Sequence, residues 1–185
     1  MSALAAMCND AGLRLYLRAL DLAIRGYAGR TRKDGKPVLF HALTVVEILR
    51  EVAGISDYRV LAVALLHDIL EESLTKYEEV ESAIGASGAR LVAALTEDKR
   101  LPKSERKSLL IKSFGGLPAD AKIVKLADRL DNVTNGWLRT SADPATLHRY
   151  RAECQELLRQ AEGVCPNLEK ALEQAIRNSL SEEPS

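Results

Sequence analysis

Aromatic residues are scarce in this sequence: one Trp, two Phe and five Tyr among 185 residues. There is no sustained apolar–polar alternation and no Asn-Gly hairpin, so strand and hairpin signals are weak. No stretch approaches the roughly 18 uncharged apolar residues that a membrane-spanning helix needs. Net charge is missing too, with 26 Lys and Arg against 26 Asp and Glu. That excludes the overall field of a non-specific nucleic-acid binder, and neither nucleic acid nor membrane is expected as a partner. Cysteine is limited to Cys8, Cys154 and Cys165, odd in number and without a CxxC pair. A disulfide framework or zinc knuckle is therefore not expected, and a reducing cytoplasm is the simplest home. The opening MSALAAMCNDAG lacks the basic and apolar regions of a secretory signal, so a cytoplasmic location is expected.

What is present is helical periodicity. Hydrophobic residues make up 46% and charged residues 28%, the balance of a globular chain. The length suits one domain over 1–185, with a frayed tail at 181–185. Leu13, Leu17, Leu20 and Ile24 form one apolar stripe on a first helix ending near Gly29. A basic turn follows, Arg30 to Pro37, and His41 opens a second helix. Ser56 and Asp57 can cap a third, apolar nearly all round, which ends at His67-Asp68. Thr75 and Glu78 suggest a capping box for a fourth helix that Gly85 ends. Leu91 to Leu95 belong to a fifth, and Lys103 to Ser113 is a basic sixth. Pro118 starts a seventh carrying Lys125 to Asn132, Asp143-Pro144 an eighth, and Pro166 separates a ninth. The expected fold is all-α, a single bundle of about 8–10 helices.

Chemistry concentrates in two of these segments. In a continuous helix His67 and Glu71 would share a face, as would Asp68 and Glu72, and Asp128 and Asn132. One imidazole and several carboxylates gathered at helix ends are the parts of a site for a hard or borderline divalent cation. The chain has three histidines, His41, His67 and His148, and two of them fall where helix ends can meet Asp128. Imidazole with carboxylate suits manganese, iron or zinc better than calcium. Taken singly, each piece has a plainer reading. His41 reads as a core or capping histidine, Asp128 beside Arg129 as a surface ion pair, and Glu71-Glu72 as a solvated helix end.

In order and spacing, the pieces resemble the hydrolase domain of RelA/SpoT homologues, above all the stand-alone small alarmone hydrolases. The matching stretches are Arg32-Lys33-Asp34-Gly35 with Pro37 and His41, and Ala64-Leu-Leu-His-Asp68 with Glu71. Leu95-Thr with Asp98-Lys99, Leu101 to Lys107, and Lys125-Leu-Ala-Asp-Arg-Leu130 with Asn132 complete the set. The resemblance covers residues 12–160. It implies an all-α HD domain and one divalent metal, usually manganese, held by His41, His67, Asp68 and Asp128. It further implies that Glu71 and Glu72 handle the attacking water. Arg32, Lys33 and Asn132 would contact the nucleotide, and Lys103 and Tyr150 its phosphates. The implied reaction releases pyrophosphate from the 3′ position of a guanosine or adenosine 3′,5′-bis(diphosphate). The chain departs from the family pattern at five places. Glu72 replaces the usual Asp, Tyr27 and Arg30 replace His and Gln, Val38 replaces a frequent Tyr, and Asp131 replaces a frequent His or Tyr. These departures keep open a phosphatase acting on another nucleotide such as NADPH, or a degenerate alarmone-binding module.

Overall fold

The structure, a computed structural model, describes residues 10–135 and 143–181, with the side chains of Lys103, Leu180 and Ser181 left aside. Its described elements are helices, joined by one isolated bridge between Thr31 and Pro37. The fold is all-α. None of the described helices is long and apolar enough to cross a membrane.

Helix α1 runs Ala11–Gly26. Its N-cap Asp10 accepts the backbone N–H of Gly12 at 2.8 Å and of Leu13 at 3.2 Å, satisfying donors that a helix start leaves open. The buried face is not the expected stripe. Ala19, Leu22 and Ala23 face inward, while Leu17 and Ile24 are 52% and 50% exposed. Small residues win the inner face because α1 packs closely on α3 and α5. Gly26 shows how close the chain passes: a Cβ there would sit 2.9 Å from Ile69 Cδ1.

After the basic turn, α2 spans Val38–Glu51. It begins at Val38, so His41 lies within its first turn rather than opening it. Helix α3, Tyr58–Leu66, is capped by Asp57, which accepts Arg59 N–H at 2.8 Å. All seven residues from Val60 to Leu66 are buried. Burying each of its Leu side chains contributes roughly 1.5–3 kcal/mol, so α3 is the core element around which the others stack. It ends at Leu66. His67 and Asp68 form a turn, and Glu71 and Glu72 belong to a separate single turn, α4, Ile69–Glu72. The shared-face expectation for the HDxxEE stretch therefore fails, since no continuous helix joins the two pairs.

Helix α5 spans Tyr77–Leu95 and bends at Gly85, whose φ of 78° and ψ of 164° are not helical. The two helices expected here meet end to end at that glycine. The cap is shifted by one residue from expectation: Lys76 N–H donates to Glu79 Oε2 at 2.9 Å. Helix α6 covers Lys103–Phe114 and α7 covers Ala119–Thr134. Helix α8, Pro144–Ala161, is capped by Asp143, which accepts Thr146 N–H at 2.9 Å. Helix α9, Pro166–Ser181, packs on α7. Every residue of α7 from Ile123 to Val133 is buried, including Lys125, Asp128, Arg129, Asp131 and Asn132. Charge in a core helix is costly unless it is paired, and these pairings form the site. Cys8 and residues 182–185 of the expected tail lie outside the described residues.

Candidate metal centre and its cleft

Three buried side chains converge from three parts of the fold. His41 comes from the first turn of α2, His67 from the turn after α3, and Asp128 from α7. One donor atom of each lies within 4.8 Å of the others. Asp68 joins them, its Oδ2 3.2 Å from His67 Nε2 and 3.7 Å from His41 Nε2. Asp128 Oδ1 lies 3.3 Å from His41 Nε2.

Outer hydrogen bonds aim these donors. His67 Nδ1–H donates to the Ala64 carbonyl at 2.7 Å, and His41 Nδ1–H donates to Asp131 Oδ2 at 2.6 Å. Both bonds turn Nε2 toward the shared pit, the arrangement that orients ligating imidazoles. Asp128 is held on both oxygens. Lys125 Nζ is 3.0 Å from Oδ2, and Asn132 Nδ2–H donates to Oδ1 at 2.6 Å.

The pit is short of positive charge. His67 Nε2 is buried and without a hydrogen-bond partner, although Asp68 Oδ2 is close. A ring lone pair facing a carboxylate oxygen is repulsive unless a cation lies between them. His41 shows the same demand. Burial pulls its imidazole down, but hydrogen bonds to Asp128 and Asp131 outweigh this and lift it to about 9. Burial pushes the Asp68 carboxyl up, yet positive charge placed beside it, at the His67 Nε2 position and at Lys125, holds it below the usual carboxylate range. The donor set of two imidazole nitrogens and two carboxylates fits a divalent metal.

A cleft of about 380 Å³ opens from the pit. One side carries acids. Glu71 Oε1 accepts Glu97 N–H at 2.7 Å, and Lys99 Nζ donates to Glu72 Oε1 at 2.7 Å. Burial, helped by the nearby charge of Asp68, lifts the Glu71 carboxyl to about 7. The other side is a cationic wall. The Arg129 guanidinium lies 4.7 Å from the Tyr150 ring centroid and Lys107 Nζ lies 5.4 Å from it. Arg106 Nε, Arg129 Nε and the Tyr150 hydroxyl are buried with no partner. Of the five such atoms among the described residues, these three and His67 Nε2 belong to this site. Each unmet group costs roughly 1–3 kcal/mol, so their clustering marks a place built for a ligand.

The HD domain family matches residues 19–158. This chain is an HD-domain protein of the SpoT-homologue family. Human guanosine-3′,5′-bis(diphosphate) 3′-pyrophosphohydrolase MESH1 is 38% identical over 166 residues, covering 87% of this chain and 92% of that protein. The bifunctional (p)ppGpp synthase/hydrolase SpoT of Escherichia coli K12 is 28% identical, with 88% of this chain matching 25% of that protein. A solved structure of a metazoan SpoT ortholog, described as hydrolysing ppGpp, superposes with a TM-score of 0.80 at 31% identity. It covers 89% of this chain and 94% of the other.

Within this HD domain the residues singled out in the sequence take different places. His41, His67, Asp68 and Asp128 come together, and Glu71 and Glu72 line the adjoining cleft. Lys33 and Tyr150 also line it. Arg32 and Asn132 lie there too, but bonded to each other through the guanidinium Nη2 and Asn132 Oδ1. The Lys103 side chain lies outside the described residues. His148 is exposed on α8, away from the cleft. Arg100 is a solvated ion-pair partner of Asp98. Arg106 is not solvated: it is 18% exposed, lines the cleft and lies 3.4 Å from Glu97. Lys125, Arg129 and the role of Asp131 were missed. Their signal was charge at every turn of an otherwise apolar α7, which only a buried polar network explains.

Proposed function

We propose that this HD-domain protein is a metal-dependent 3′-pyrophosphohydrolase of guanosine 3′,5′-bis(diphosphate), with manganese as the metal. The carrying observation is one cleft that joins a convergent set of imidazole and carboxylate donors to a cationic wall on which Arg106 Nε, Arg129 Nε and the Tyr150 hydroxyl are buried without a hydrogen bond. A polyphosphate whose reacting phosphorus lies beside a metal meets both needs. The chain's likeness to MESH1 over nearly its whole length supports the same substrate.

His41, His67, Asp68 and Asp128 would hold the ion. When bound, a divalent metal supplies a more acidic water and a polarised phosphoryl oxygen. The side chains supply the rest. Glu71, with its carboxyl near 7 and Oε1 fixed by Glu97 N–H, takes the proton of the attacking water. Water adds to the phosphorus attached at the 3′ oxygen, and the bond to that oxygen breaks. The proton held on Glu71 is then available to the departing 3′ oxygen. Glu72 is tied to Lys99 Nζ, and the same ammonium donates to the Glu71 carbonyl and keeps that backbone in place. Arg106, Lys107, Arg129 and Tyr150 receive phosphate oxygens and exclude water from them. The pocket flank from Arg32 to Asn132 receives the nucleoside.

The test is incubation of Mn²⁺-loaded protein with guanosine and adenosine 3′-pyrophosphates, followed by chromatography. Guanosine 5′-diphosphate from guanosine 3′,5′-bis(diphosphate) is the expected product. Absence of any nucleoside 5′-phosphate product would sink the reading. Orthophosphate instead of pyrophosphate would move the protein to a phosphatase.

A further inference from the structure

Asp131 joins the metal pit to the nucleotide flank through one oxygen. Its Oδ2 accepts His41 Nδ1–H at 2.6 Å and Arg32 Nη1–H at 3.1 Å. The second terminal nitrogen of Arg32 donates to Asn132 Oδ1, and Asn132 in turn donates to Asp128 Oδ1 at 2.6 Å. Arg32 sits on the basic turn, which its own backbone closes: Arg32 N–H donates to the Lys36 carbonyl at 2.8 Å. Lys36 Nζ fastens the far side of that turn to the Asn135 carbonyl at 3.0 Å. The turn is therefore anchored at three polar positions, Asp131 and Asn132 within α7 and Asn135 at its C-cap. One oxygen of the Asp131 carboxylate accepts two donors at once, which a neutral side chain does less strongly. The bridge is a property of this chain's own residues.

We propose that Asp131 is a positioning residue that fastens the nucleotide-binding turn to the metal-binding imidazole of His41. Metal affinity and nucleotide affinity then depend on one carboxylate. The inference rests on reading the cleft as a metal and nucleotide site, and it deepens that reading. A carboxylate behind Nδ1–H fixes the ring and strengthens Nε2 as a donor. On the other branch, Asp131 and Asn132 occupy both terminal nitrogens of Arg32. With its terminal nitrogens so engaged, the guanidinium keeps its planar face for stacking on a nucleobase. Neutralising Asp131 weakens both branches together.

The experiment uses full-length protein with Asp131→Asn, Asp131→His and Arg32→Ala variants, each checked for folding by a circular dichroism melt. Mn²⁺ affinity is read without nucleotide, from the paramagnetic resonance signal of the free ion. Nucleotide affinity is read by calorimetry with guanosine 5′-diphosphate, so neither readout needs turnover. Asp131→Asn is expected to weaken Mn²⁺ binding about 10- to 100-fold and to weaken guanosine 5′-diphosphate binding as well. Arg32→Ala should weaken only the nucleotide. Asp131→His keeps a polar partner for His41 but no anion for Arg32, so it should follow Arg32→Ala if the Asn variant does not fold. Unchanged Mn²⁺ affinity in a folded Asp131→Asn protein overturns the proposal. So does unchanged nucleotide affinity in either Asp131 variant, because a merely structural Asp131 would move the melt alone. A wild-type protein that binds Mn²⁺ and nucleotide but cleaves nothing sinks the proposed activity. The Asp131 result then stands on the affinities by itself.

Discussion

The two halves of the cleft are built by opposite rules. In the pit nearly every donor has an assigned outer partner: Ala64 behind His67, Asp131 behind His41, Lys125 and Asn132 on Asp128. On the wall, Arg106, Arg129 and Tyr150 each keep a buried polar atom without one. The pit is fixed by bonds within the protein. The wall is cationic and only partly neutralised, by Glu97 at Arg106 and Glu153 at Lys107. On the proposed function, the geometry that holds the metal is fixed in advance, whereas part of the wall's hydrogen bonding is left to the substrate. This division follows from cost. A metal-ligand shell tolerates little displacement, while an unmet hydrogen bond on the wall is regained whenever substrate binds.

The comparison breaks most severely in the pit. Asp68→Asn removes one charged donor and leaves a hole in the shell. We expect loss of bound metal by elemental analysis and turnover below detection. Retained metal with full turnover would show that the pit is not the reactive centre. Next comes Glu71→Gln, which leaves the donors untouched. The expected loss is about 10²- to 10⁴-fold in kcat, with metal content unchanged. The pH profile sharpens this test. Glu71 accepts a proton only when ionised, and its carboxyl is lifted to about 7. The rate should therefore rise with pH through a midpoint at or below 7, since a bound divalent ion shifts it downward. The rise should disappear in Glu71→Gln.

The wall should respond more gently and with opposite signs in two measurements. Tyr150→Phe removes a hydroxyl that has no partner in the free protein. We expect KM to increase about two- to tenfold, one hydrogen bond's worth of 0.5–1.5 kcal/mol. Thermal stability should stay level or improve, because a buried unmet group is gone. A lower melting temperature with unchanged KM would make Tyr150 a structural residue. The smallest effect belongs to Glu72→Asp, which restores the family's usual residue. The Lys99–Glu72 pair is about half exposed, so stability should shift by less than about 0.5 kcal/mol. Measured kcat should change least of the four.

These two halves also differ in how far the sequence revealed them. His41, His67, Asp68 and Asp128 were legible because rare residue types recur in a known order. Caps at Asp57 and Asp143, and breaks at Gly85 and Pro166, were legible because their chemistry is local. On the wall only Tyr150 was, and through the resemblance alone. Arg129 and Lys107 look like ordinary surface cations until α6 and α7 are seen packed against α8. The α1 stripe misled because Leu17 and Ile24 keep the helical period yet lie on the outer face. Periodicity specifies a helix but not which of two apolar faces finds the tighter fit, and here Ala19 and Ala23 permit the closer approach. The HDxxEE stretch misled because residues four apart share a face only if the helix continues, and it stops at Leu66. Asp131 was noticed as a departure, but its partner His41 lies 90 residues away, a distance no local rule spans.

The central claim is that one divalent ion is held where α2, the turn after α3, and α7 meet. Anomalous diffraction at the manganese edge, from crystals grown with Mn²⁺, tests it most directly. The account predicts a single strong peak bounded by His41 Nε2, His67 Nε2, Asp68 and Asp128, and no such peak in Asp68→Asn crystals. A peak elsewhere in the cleft, or an empty pit in protein that cleaves the nucleotide, would contradict it.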